Sequence, residues 1–468
     1  MTDAVAQADR PLATEAFGVS DRPQLHQPVR RELSDAWLNK YGVRVTFISW
    51  LAQGFVIAVV AATGIRLWLT SRQLQAVRSR RNAVPSVFQD QITLEDQQRA
   101  ADYTVARVAL GRWATIYEGF LKLVLTVGGG VGLVDTLWRR NEITEPWRGM
   151  LLIGSLLLLL QLAGLPFEIW RTFKIEARFG FNRVTPRLFA IDLVKGVGLG
   201  VLLGGPLLLM TLMLMQRDGE WWWLWAWCAW LAWTIVMTWA APRYIAPLFN
   251  RFSPLADEAL KKSVEALLAR CGFSAAGGVF VMDGSRRSTH GNAYFTGIGR
   301  NKRIVLFDTL LERMDTAEIE AVLAHELGHF RLHHIIQRLI LSALLTLAGL
   351  ALLAWTARQP VFYQAFHVSV PSAESALILC ALIAPVITFF AKPFVSWLSR
   401  RQELAADDFA VAHADRKRLA TALVKLFRHN SSTLTPDHLH SAFYDSHPPA
   451  LARIVRLNAL AGPVSGNG

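Results

Sequence analysis

The chain has 468 residues, of which 52% are hydrophobic and only 18% are charged. Soluble globular proteins carry about 25% charged residues, so this composition argues against an ordinary soluble protein and favours a membrane protein. The net charge of +13 suits loops that lie on an anionic membrane surface. Because no nucleic-acid-binding motif accompanies the charge, we expect no nucleic-acid partner. The cysteines at 228, 271 and 380 are scattered and predict neither a disulfide framework nor a paired metal site.

The N-terminal part of the chain changes from polar to strongly apolar. Residues 1–45 are polar and contain no signal-peptide core, so we expect a disordered tail. Five apolar runs follow in residues 46–241 and two more in residues 333–398. Each run approaches or exceeds the length needed to cross a bilayer. The predicted spans are 47–70, 115–137, 149–170, 188–215, 221–241, 334–356 and 373–398.

Charged residues indicate how the predicted spans are arranged. Intramembrane charges face the protein interior or a water-filled cavity, so several within two spans favour a polar interior: Glu118, Lys122, Asp135, Asp192 and Lys195. The connections 71–112 and 171–187 are rich in Lys and Arg, as are the polar segments 242–332 and 399–468. By the positive-inside rule these parts face the cytoplasm. Seven spans then place the N-terminal tail on the other side, although it also contains arginines.

The polar segment 242–332 has the pattern of an α+β domain. In "SPLADEALKKSVEALLARCGF" we expect a helix with Ser253 as N-cap and Pro254 in its first turn. "GVFVMD" and "KRIVLFD" predict strands, and "NAYFTGIGRN" between them predicts a short strand and a turn. Asp315 and Glu318 predict a capping box at the start of the next helix.

That helix carries the sequence His-Glu-Leu-Gly-His. Residues i and i+4 share a helix face, so His325 and His329 can bind one metal ion, and Glu326 on the adjacent flank can act on a water molecule. A catalytic zinc needs a third protein ligand and an open position. The competing interpretation is a pair of merely solvated or packed histidines. His333 is too far along the helix to share an ion with His325, so we interpret His333 and His334 as ordinary polar residues, or at most as groups behind the ligands.

The stretch "SRRQELAADDFAVAHA" offers the third ligand. Glu403 and Asp407 lie four residues apart on one helical face. One of the two carboxylates could therefore bind the metal while the other accepts a hydrogen bond from a ligand histidine. An exposed acidic patch on a surface helix is the alternative, and it becomes the less favoured one beside the zinc motif.

These stretches resemble the integral-membrane zinc metalloproteases of the CAAX prenyl protease 1 type. "HELGHF" is followed by "SRRQELAADDFA", as in that family, and "VFVMDGSRRSTHGNAYFTGIGRNKRIVLFDTLL" resembles the segment before its zinc helix. "LPFEIWRTFKIEARFGFNRVTPRLFAIDLVKG" is similar to its membrane-domain signature and "SHPPALARIVRL" to its C-terminal His-Pro element. The resemblance covers roughly residues 160–460, in the family's order, and little of the first hundred residues.

The resemblance implies a zinc site with assigned ligands. It implies one Zn²⁺ per chain, held by His325, His329 and Glu403. It also implies that Glu326 is the general base and that Asp407 lies behind the ligands. In the family, seven helices enclose a water-filled chamber that the zinc site faces from the cytoplasmic side.

Further site residues follow from the resemblance alone. Asn292, with Ala293 and Tyr294 beside it, would hold the substrate backbone as an added edge strand. His447 would stabilise the oxyanion, with support from Arg453. Without the resemblance, "SHPP" would predict only a turn.

The predicted fold is therefore a mostly α-helical polytopic membrane protein. It has about seven transmembrane helices around a polar chamber and a cytoplasmic α+β protease domain. We expect a tail at 1–45, membrane helices at 46–241 and 333–398, and protease segments at 242–332 and 399–468.

The predicted function is that of a zinc endopeptidase in a membrane, with a bacterial inner membrane suggested by composition. Its expected partners are membrane lipids and a peptide or protein substrate, either lipidated or membrane-inserted. One alternative is a quality-control protease with no prenyl substrate, which the sequence does not separate from the first. The other is a non-enzymatic channel or scaffold with a structural zinc. A structural zinc has four protein ligands, so two histidines and one glutamate without a nearby cysteine argue against it.

Overall fold

The computed structural model describes residues 27–217, 219–273, 278–296 and 303–460. Its N-terminal part consists of helices, most of them long. These are α1 (Gln27–Ser79), α2 (Leu94–Leu125), α3 (Gly130–Arg139), α4 (Trp147–Trp170), α5 (Pro186–Leu199), α6 (Gly205–Gln216), α7 (Trp222–Ala240) and α8 (Ala246–Phe249). Turns of π-helix at Arg171–Glu176, Gly200–Gly204 and Ala241–Ile245 continue α4, α5 and α7. These turns make α4, α5–α6 and α7–α8 nearly continuous rods.

The C-terminal part contains a small sheet and shorter helices. Its strands are β1 (Phe252–Pro254), β2 (Val279–Met282), β3 (Ala293–Thr296) and β4 (Arg303–Phe307). Its first helices are α9 (Glu258–Arg270), α10 (Asp308–Leu311) and α11 (Thr316–Arg331). The helices α12 (His334–Ala357), α13 (Pro360–Ala365), α14 (Ala373–Thr388), α15 (Lys392–His413), α16 (Arg416–His429), α17 (His438–Tyr444) and α18 (Ala450–Ala459) follow.

The membrane-spanning character of the chain agrees with the predicted fold class. Within the described residues, six helical stretches are long and apolar enough to cross a membrane, and the pair α2–α3 makes a seventh if it is counted as one span. The fold class, a mostly helical membrane protein with about seven spans and a small sheet, is thus confirmed. The domain boundaries remain predictions.

The span predicted at 115–137 is not straight. The α2 and α3 axes differ by 49°. The chain turns in the glycine-rich stretch "TVGGGVG", where Gly129 has a φ of 76° and caps α3. Glycine adopts this left-handed conformation without the steric cost that other residues meet. A Cβ at Gly132 would also collide with the backbone carbonyl of His367. The bend therefore depends on glycines that local hydrophobicity does not reveal.

The start of the chain differs from the prediction in part. Residues 27–45, expected to belong to a disordered tail, are helical and continue into the first span as α1. Pro28 lies in the first turn, where proline is tolerated, and no proline follows within the helix. Residues 1–26 lie outside the described residues. Near the other end of α1, Arg72 pairs with Asp437 at 2.9 Å, so the N-terminal end of the span lies on the membrane side opposite the protease part.

The predicted strands are confirmed, but the predicted start of the first protease helix is wrong. The strand order is β1-β2-β4-β3, with β2 and β4 parallel and β3 antiparallel to β4 at an edge. Ser253 belongs to β1, where it pairs with Val281, because sheet pairing outweighs its local capping preference. The helix begins at Glu258, and the side chain of Asp257 accepts hydrogen bonds from two of its backbone N–H groups. The turn predicted after β3 lies outside the described residues.

The five charged residues that suggested a polar interior each have a partner. Lys122 pairs with Glu118 at 3.5 Å, and Arg139 pairs with Asp135 at 2.7 Å. Lys195 donates to the backbone carbonyl of Leu248 at 2.8 Å. The Asp192 carboxylate accepts hydrogen bonds from Nε and Nη2 of Arg287, both at 3.0 Å. Since Arg287 lies in the protease part, the last pair also joins the two parts of the molecule.

Candidate metal centre and active site

Two helices, α11 and α15, form the framework of the candidate site. The predicted capping box begins α11, since Asp315 accepts from the N–H of Glu318 at 2.9 Å and Glu318 accepts from the N–H of Asp315 at 3.0 Å. The regular helix then places His325 and His329 one turn apart on one face. Helix α15 packs closely across this face because Gly328 has no side chain: a Cβ there would lie 3.0 Å from the Cα of Ala406.

The close packing brings Glu403 opposite both histidines. Its Oε2 lies 3.3 Å from Nε2 of His325, and its Oε1 lies 3.3 Å from Nε2 of His329. Each of the three residues offers one donor atom, and these three atoms all lie within 4.8 Å of one another. Glu403 is 3% exposed, and its Oε2 has no hydrogen-bond partner among the described residues. A buried carboxylate oxygen without a donor is unfavourable unless a cation balances it. Two imidazoles and one carboxylate are the donor set of a catalytic zinc site, so these residues fit the metal.

A buried ion pair supports the first histidine from behind. Asp407 Oδ1 lies 2.9 Å from Nδ1 of His325. Arg453 binds the same carboxylate through Nε at 2.9 Å and Nη2 at 2.5 Å. A carboxylate at Nδ1 orients the ring so that Nε2 faces the metal position. Arg453, which the sequence analysis placed in support of His447, contacts Asp407 and approaches His325 instead, with Nη2 3.5 Å from Nδ1.

The protonation of the metal-free site follows from these contacts. Burial lowers the pKa of His325, but the nearby carboxylates of Asp407 and Glu403 outweigh burial and raise the pKa to about 9. Burial also raises the pKa of Glu326, although the neighbouring histidines oppose the shift. A carboxylate with a raised pKa is better suited to exchanging a proton near neutral pH than an ordinary one.

The second histidine also has a partner behind it, His334, which was expected to be an ordinary polar residue or at most a group behind the ligands. Nδ1 of His329 lies 3.0 Å from Nδ1 of His334, and the His334 side chain is buried. His333 between the two helices is exposed and has a φ of 58°. This sharp turn folds the first residue of α12 back against α11. A separation of five residues gives no such contact on a continuous helix, so only the turn at His333 could have revealed it.

His447 lies at the mouth of the site. Its Nε2 is 3.5 Å from Oε2 of Glu403, and its Nδ1 is 2.9 Å from the hydroxyl of Ser446. The ring is 62% exposed and lines a cavity of about 710 Å³ between the two parts of the molecule. Membrane-part residues such as Arg107 and Arg171 line the same cavity. The cavity therefore lies between His447 and the membrane helices, and the three candidate ligands are not among its lining residues.

The residues expected to hold substrate lie at the edge strand. Asn292 is exposed just before β3, and its Oδ1 accepts from the backbone N–H of Ala293 at 2.9 Å. Ala293 is buried, and the Tyr294 ring packs edge-on against Phe307 at a centroid distance of 6.2 Å. Strand β3 contacts α11 and pairs with β4 alone among the described strands. Its outer edge is thus open to another strand beside the zinc helix.

Both parts of the chain match models of known protein families. A model of peptidase family M48 matches residues 254–461, and a model described as "CAAX prenyl protease N-terminal, five membrane helices" matches residues 73–251. CAAX prenyl protease 1 of Saccharomyces cerevisiae is 32% identical over 432 residues, which cover 86% of this chain and 94% of the relative. The chain belongs to peptidase family M48. The human CAAX prenyl protease 1 homolog is 30% identical over 454 residues, which cover 85% of this chain and 93% of the human protein.

A solved structure shows the same fold. The crystal structure of S. mikatae Ste24p superposes with a TM-score of 0.81 at 30% identity, covering 87% of this chain and 98% of that one. The chain is therefore an integral multi-pass membrane metallopeptidase of the Ste24 type, and the predicted enzyme class is confirmed. The non-enzymatic alternative is wrong, because the family assignment covers both the membrane part and the protease part.

Proposed function

We propose that this chain is a zinc endopeptidase in which His325, His329 and Glu403 hold one Zn²⁺. The observation that carries the proposal is the convergence of these three donors around an oxygen of Glu403 that is buried without a hydrogen bond. Bound zinc supplies Lewis-acid chemistry, polarising the scissile carbonyl and lowering the pKa of a water molecule. Asp407 holds His325 in the orientation that presents Nε2 to the ion.

Glu326 is the proposed general base. It follows His325 directly on α11, and although burial raises the pKa of its carboxyl group, the charges of both histidines lower it, which supports a role next to the proposed ligands. Glu326 accepts a proton from the attacking water and later delivers it to the leaving amine. Its raised pKa favours keeping the proton between the two steps.

The substrate backbone binds along β3 in this proposal. The N–H of Phe307 donates to the carbonyl of Asn292, so Asn292 forms a hydrogen-bonded pair with β4. Backbone groups alternate along an antiparallel strand, and those of Ala293 therefore point to the outer edge. The Ala293 N–H already donates to the Asn292 side chain. The Ala293 carbonyl is then the acceptor for a substrate N–H, with Tyr294 next to it on the strand.

His447 is the proposed donor to the developing oxyanion. Its Nε2 faces Glu403, and the Ser446 hydroxyl at Nδ1 holds the ring. A hydrogen bond to charge that develops in the transition state lowers the barrier to hydrolysis. Arg453 supports the site through Asp407 rather than through His447.

The substrate class and the orientation are also proposals. The relatives named CAAX prenyl protease 1 favour a prenylated peptide, and the cavity between the two parts suits a substrate that arrives from the membrane. The basic connections 71–112 and 171–187 contact the protease part. Asp96 of the first pairs with Arg428, and the backbone N–H of Arg183 in the second donates to the backbone carbonyl of Arg287. This favours a site that faces the cytoplasm. A bacterial inner membrane is proposed from composition alone.

Purified protein in detergent tests the proposal. We expect about one zinc per wild-type chain and cleavage of a farnesylated peptide, with Glu326→Gln keeping zinc but not cutting and Glu403→Ala losing zinc. An unmodified peptide of the same sequence and an unfolded membrane protein are the comparison substrates. Preference for the unfolded protein would favour a quality-control protease over prenyl-peptide processing. Wild-type turnover in Glu326→Gln would overturn the assignment of the base.

A further inference from the structure

The first turn of membrane helix α12 contacts both helices that carry the candidate zinc ligands. His334 meets His329 of α11 with 3.0 Å between the two Nδ1 atoms. On the other side, Gln337 Oε1 accepts from Gln402 of α15 at 3.0 Å, and Arg338 donates to Oε1 of the same Gln402 at 2.8 Å. Gln402 is buried and directly precedes Glu403. One helical turn therefore holds both α11 and α15 next to their metal-facing residues.

The contact between the two histidines has only one consistent assignment when zinc is bound. Nε2 of His329 faces Glu403 and gives its lone pair to the metal, so the ring proton is on Nδ1. That N–H then donates to Nδ1 of His334, which carries its own proton on Nε2. The arrangement corresponds to the Asp407 contact at Nδ1 of His325, with an imidazole in place of the carboxylate.

The location of His334 argues against an incidental contact. Its side chain is 5% exposed, although it begins a membrane helix. His333, which forms the turn between the two helices, has a φ of 58°, a backbone conformation that is uncommon outside glycine. The two rings pack edge to face with centroids 5.1 Å apart. A buried imidazole whose hydrogen-bonding nitrogen faces a metal-ligand nitrogen is placed to orient that ligand.

We propose that His334 is a positioning residue for the zinc site, holding the His329 ring with Nε2 toward the ion. The inference rests on the proposed zinc ligands. It adds that the first turn of a membrane helix forms part of the metal site, so that the position of α12 influences metal affinity. Removing such a supporting contact typically weakens metal binding by about 10- to 100-fold.

Two variants of similar shape separate hydrogen bonding from packing. In His334→Asn the amide Oδ1 stands near the position of the imidazole Nδ1 and can accept from His329, whereas His334→Leu has the same branching without an acceptor. His333→Asn is the control, because asparagine tolerates the positive φ and His333 is exposed. Zinc dissociation constants are measured by chelator competition on full-length protein in detergent. Thermal melting of the metal-free forms tests folding, and the absorption spectrum of the Co²⁺-substituted forms reports ligand geometry.

We expect His334→Leu to weaken zinc binding by about 10- to 100-fold and to change the Co²⁺ spectrum. His334→Asn should recover most of the affinity, and His333→Asn should equal the wild type. Equal losses in the Asn and Leu variants would show a packing role and overturn the inference, as would wild-type affinity in His334→Leu. Wild-type protein that binds no zinc would instead contradict the proposed metal site itself.

Discussion

At Gly328 the helix α11 packs directly against the backbone of α15, and replacing Gly328 with alanine tests whether the spacing of these helices sets the metal site. A Cβ at Gly328 would stand 3.0 Å from Cα of Ala406, 3.1 Å from its carbonyl oxygen and 3.1 Å from Cβ of Phe409. Favourable carbon–carbon contacts lie at about 3.5–4.0 Å, so α15 must retreat by about half an ångström. Two of the three atoms belong to the α15 backbone, and a side-chain rotation therefore cannot relieve the contact.

The displacement affects metal binding more than stability. Overpacking costs about 1–3 kcal/mol, and alanine returns about 1 kcal/mol through its helix propensity. Glu403 lies less than one turn from Ala406 on α15 and moves with it. Metal–ligand distances tolerate only about 0.2 Å of change. We therefore expect Gly328→Ala to weaken zinc binding by about 10- to 100-fold while the metal-free protein loses at most about 2 kcal/mol.

Chelator competition for zinc and thermal melting of the metal-free protein measure the two effects. Gly349→Ala is the matched control, since Gly349 lies within helix α12 and, apart from its chain neighbours and the adjoining backbone of its own helix, no described atom lies within 4 Å of its Cβ position. It should bind zinc as the wild type does. If Gly328→Ala matched Gly349→Ala in zinc affinity, the spacing of α11 and α15 would not determine the position of Glu403. Zinc affinity would then not depend on how closely α11 and α15 pack at Gly328.

Two further predictions concern the charges behind the metal. Arg453→Met removes the guanidinium from the buried Asp407 carboxylate, so we expect a loss of about 3–5 kcal/mol in the stability of the metal-free protein above pH 9, where His325 is no longer a cation beside Asp407, measured by denaturant titration. Adding Asp407→Asn should recover part of that loss, and a double variant as unstable as the single one would contradict the ion-pair explanation. The pKa of His325 is raised from 6.5 to about 9, so its contribution to metal-free stability is complete below pH 6.5 and disappears as the pH rises through 9. Over the same interval zinc affinity should increase, because zinc no longer has to displace the proton; competition assays from pH 6 to 9 would show a flat profile if this were incorrect.

Features that depend on local periodicity could be predicted from the sequence. The apolar spans follow from hydrophobic length, the strands from short β-branched runs, and the start of α11 from the spacing of Asp315 and Glu318. His325 and His329 share a face in any regular helix, so their pairing also needs no tertiary information. Each of these depends only on residues within a few positions of one another.

Features that depend on packing between distant segments could not be predicted from the sequence. Ser253 has a good capping side chain, but pairing with Val281 makes it part of a strand. The bend between α2 and α3 accommodates the carbonyl of His367, more than two hundred residues away in sequence. His334 meets His329 only because the chain reverses at His333. In each case a tertiary contact outweighs the local preference.

The choice between Glu403 and Asp407 as metal ligand shows where prediction from sequence ends. Both carboxylates lie on one face of α15, about 6 Å apart along its axis, which is also the separation of His325 and His329 along α11. Either carboxylate could therefore face the histidine pair, depending on the direction in which α15 crosses. In the structure the helices cross so that Glu403 meets Nε2 of both histidines and Asp407 meets only Nδ1 of His325. Reversing the crossing would exchange the two roles without any change in local sequence. The buried bond from Arg453 to Asp407 opposes that reversal, since it ties the Asp407 end of α15 to α18.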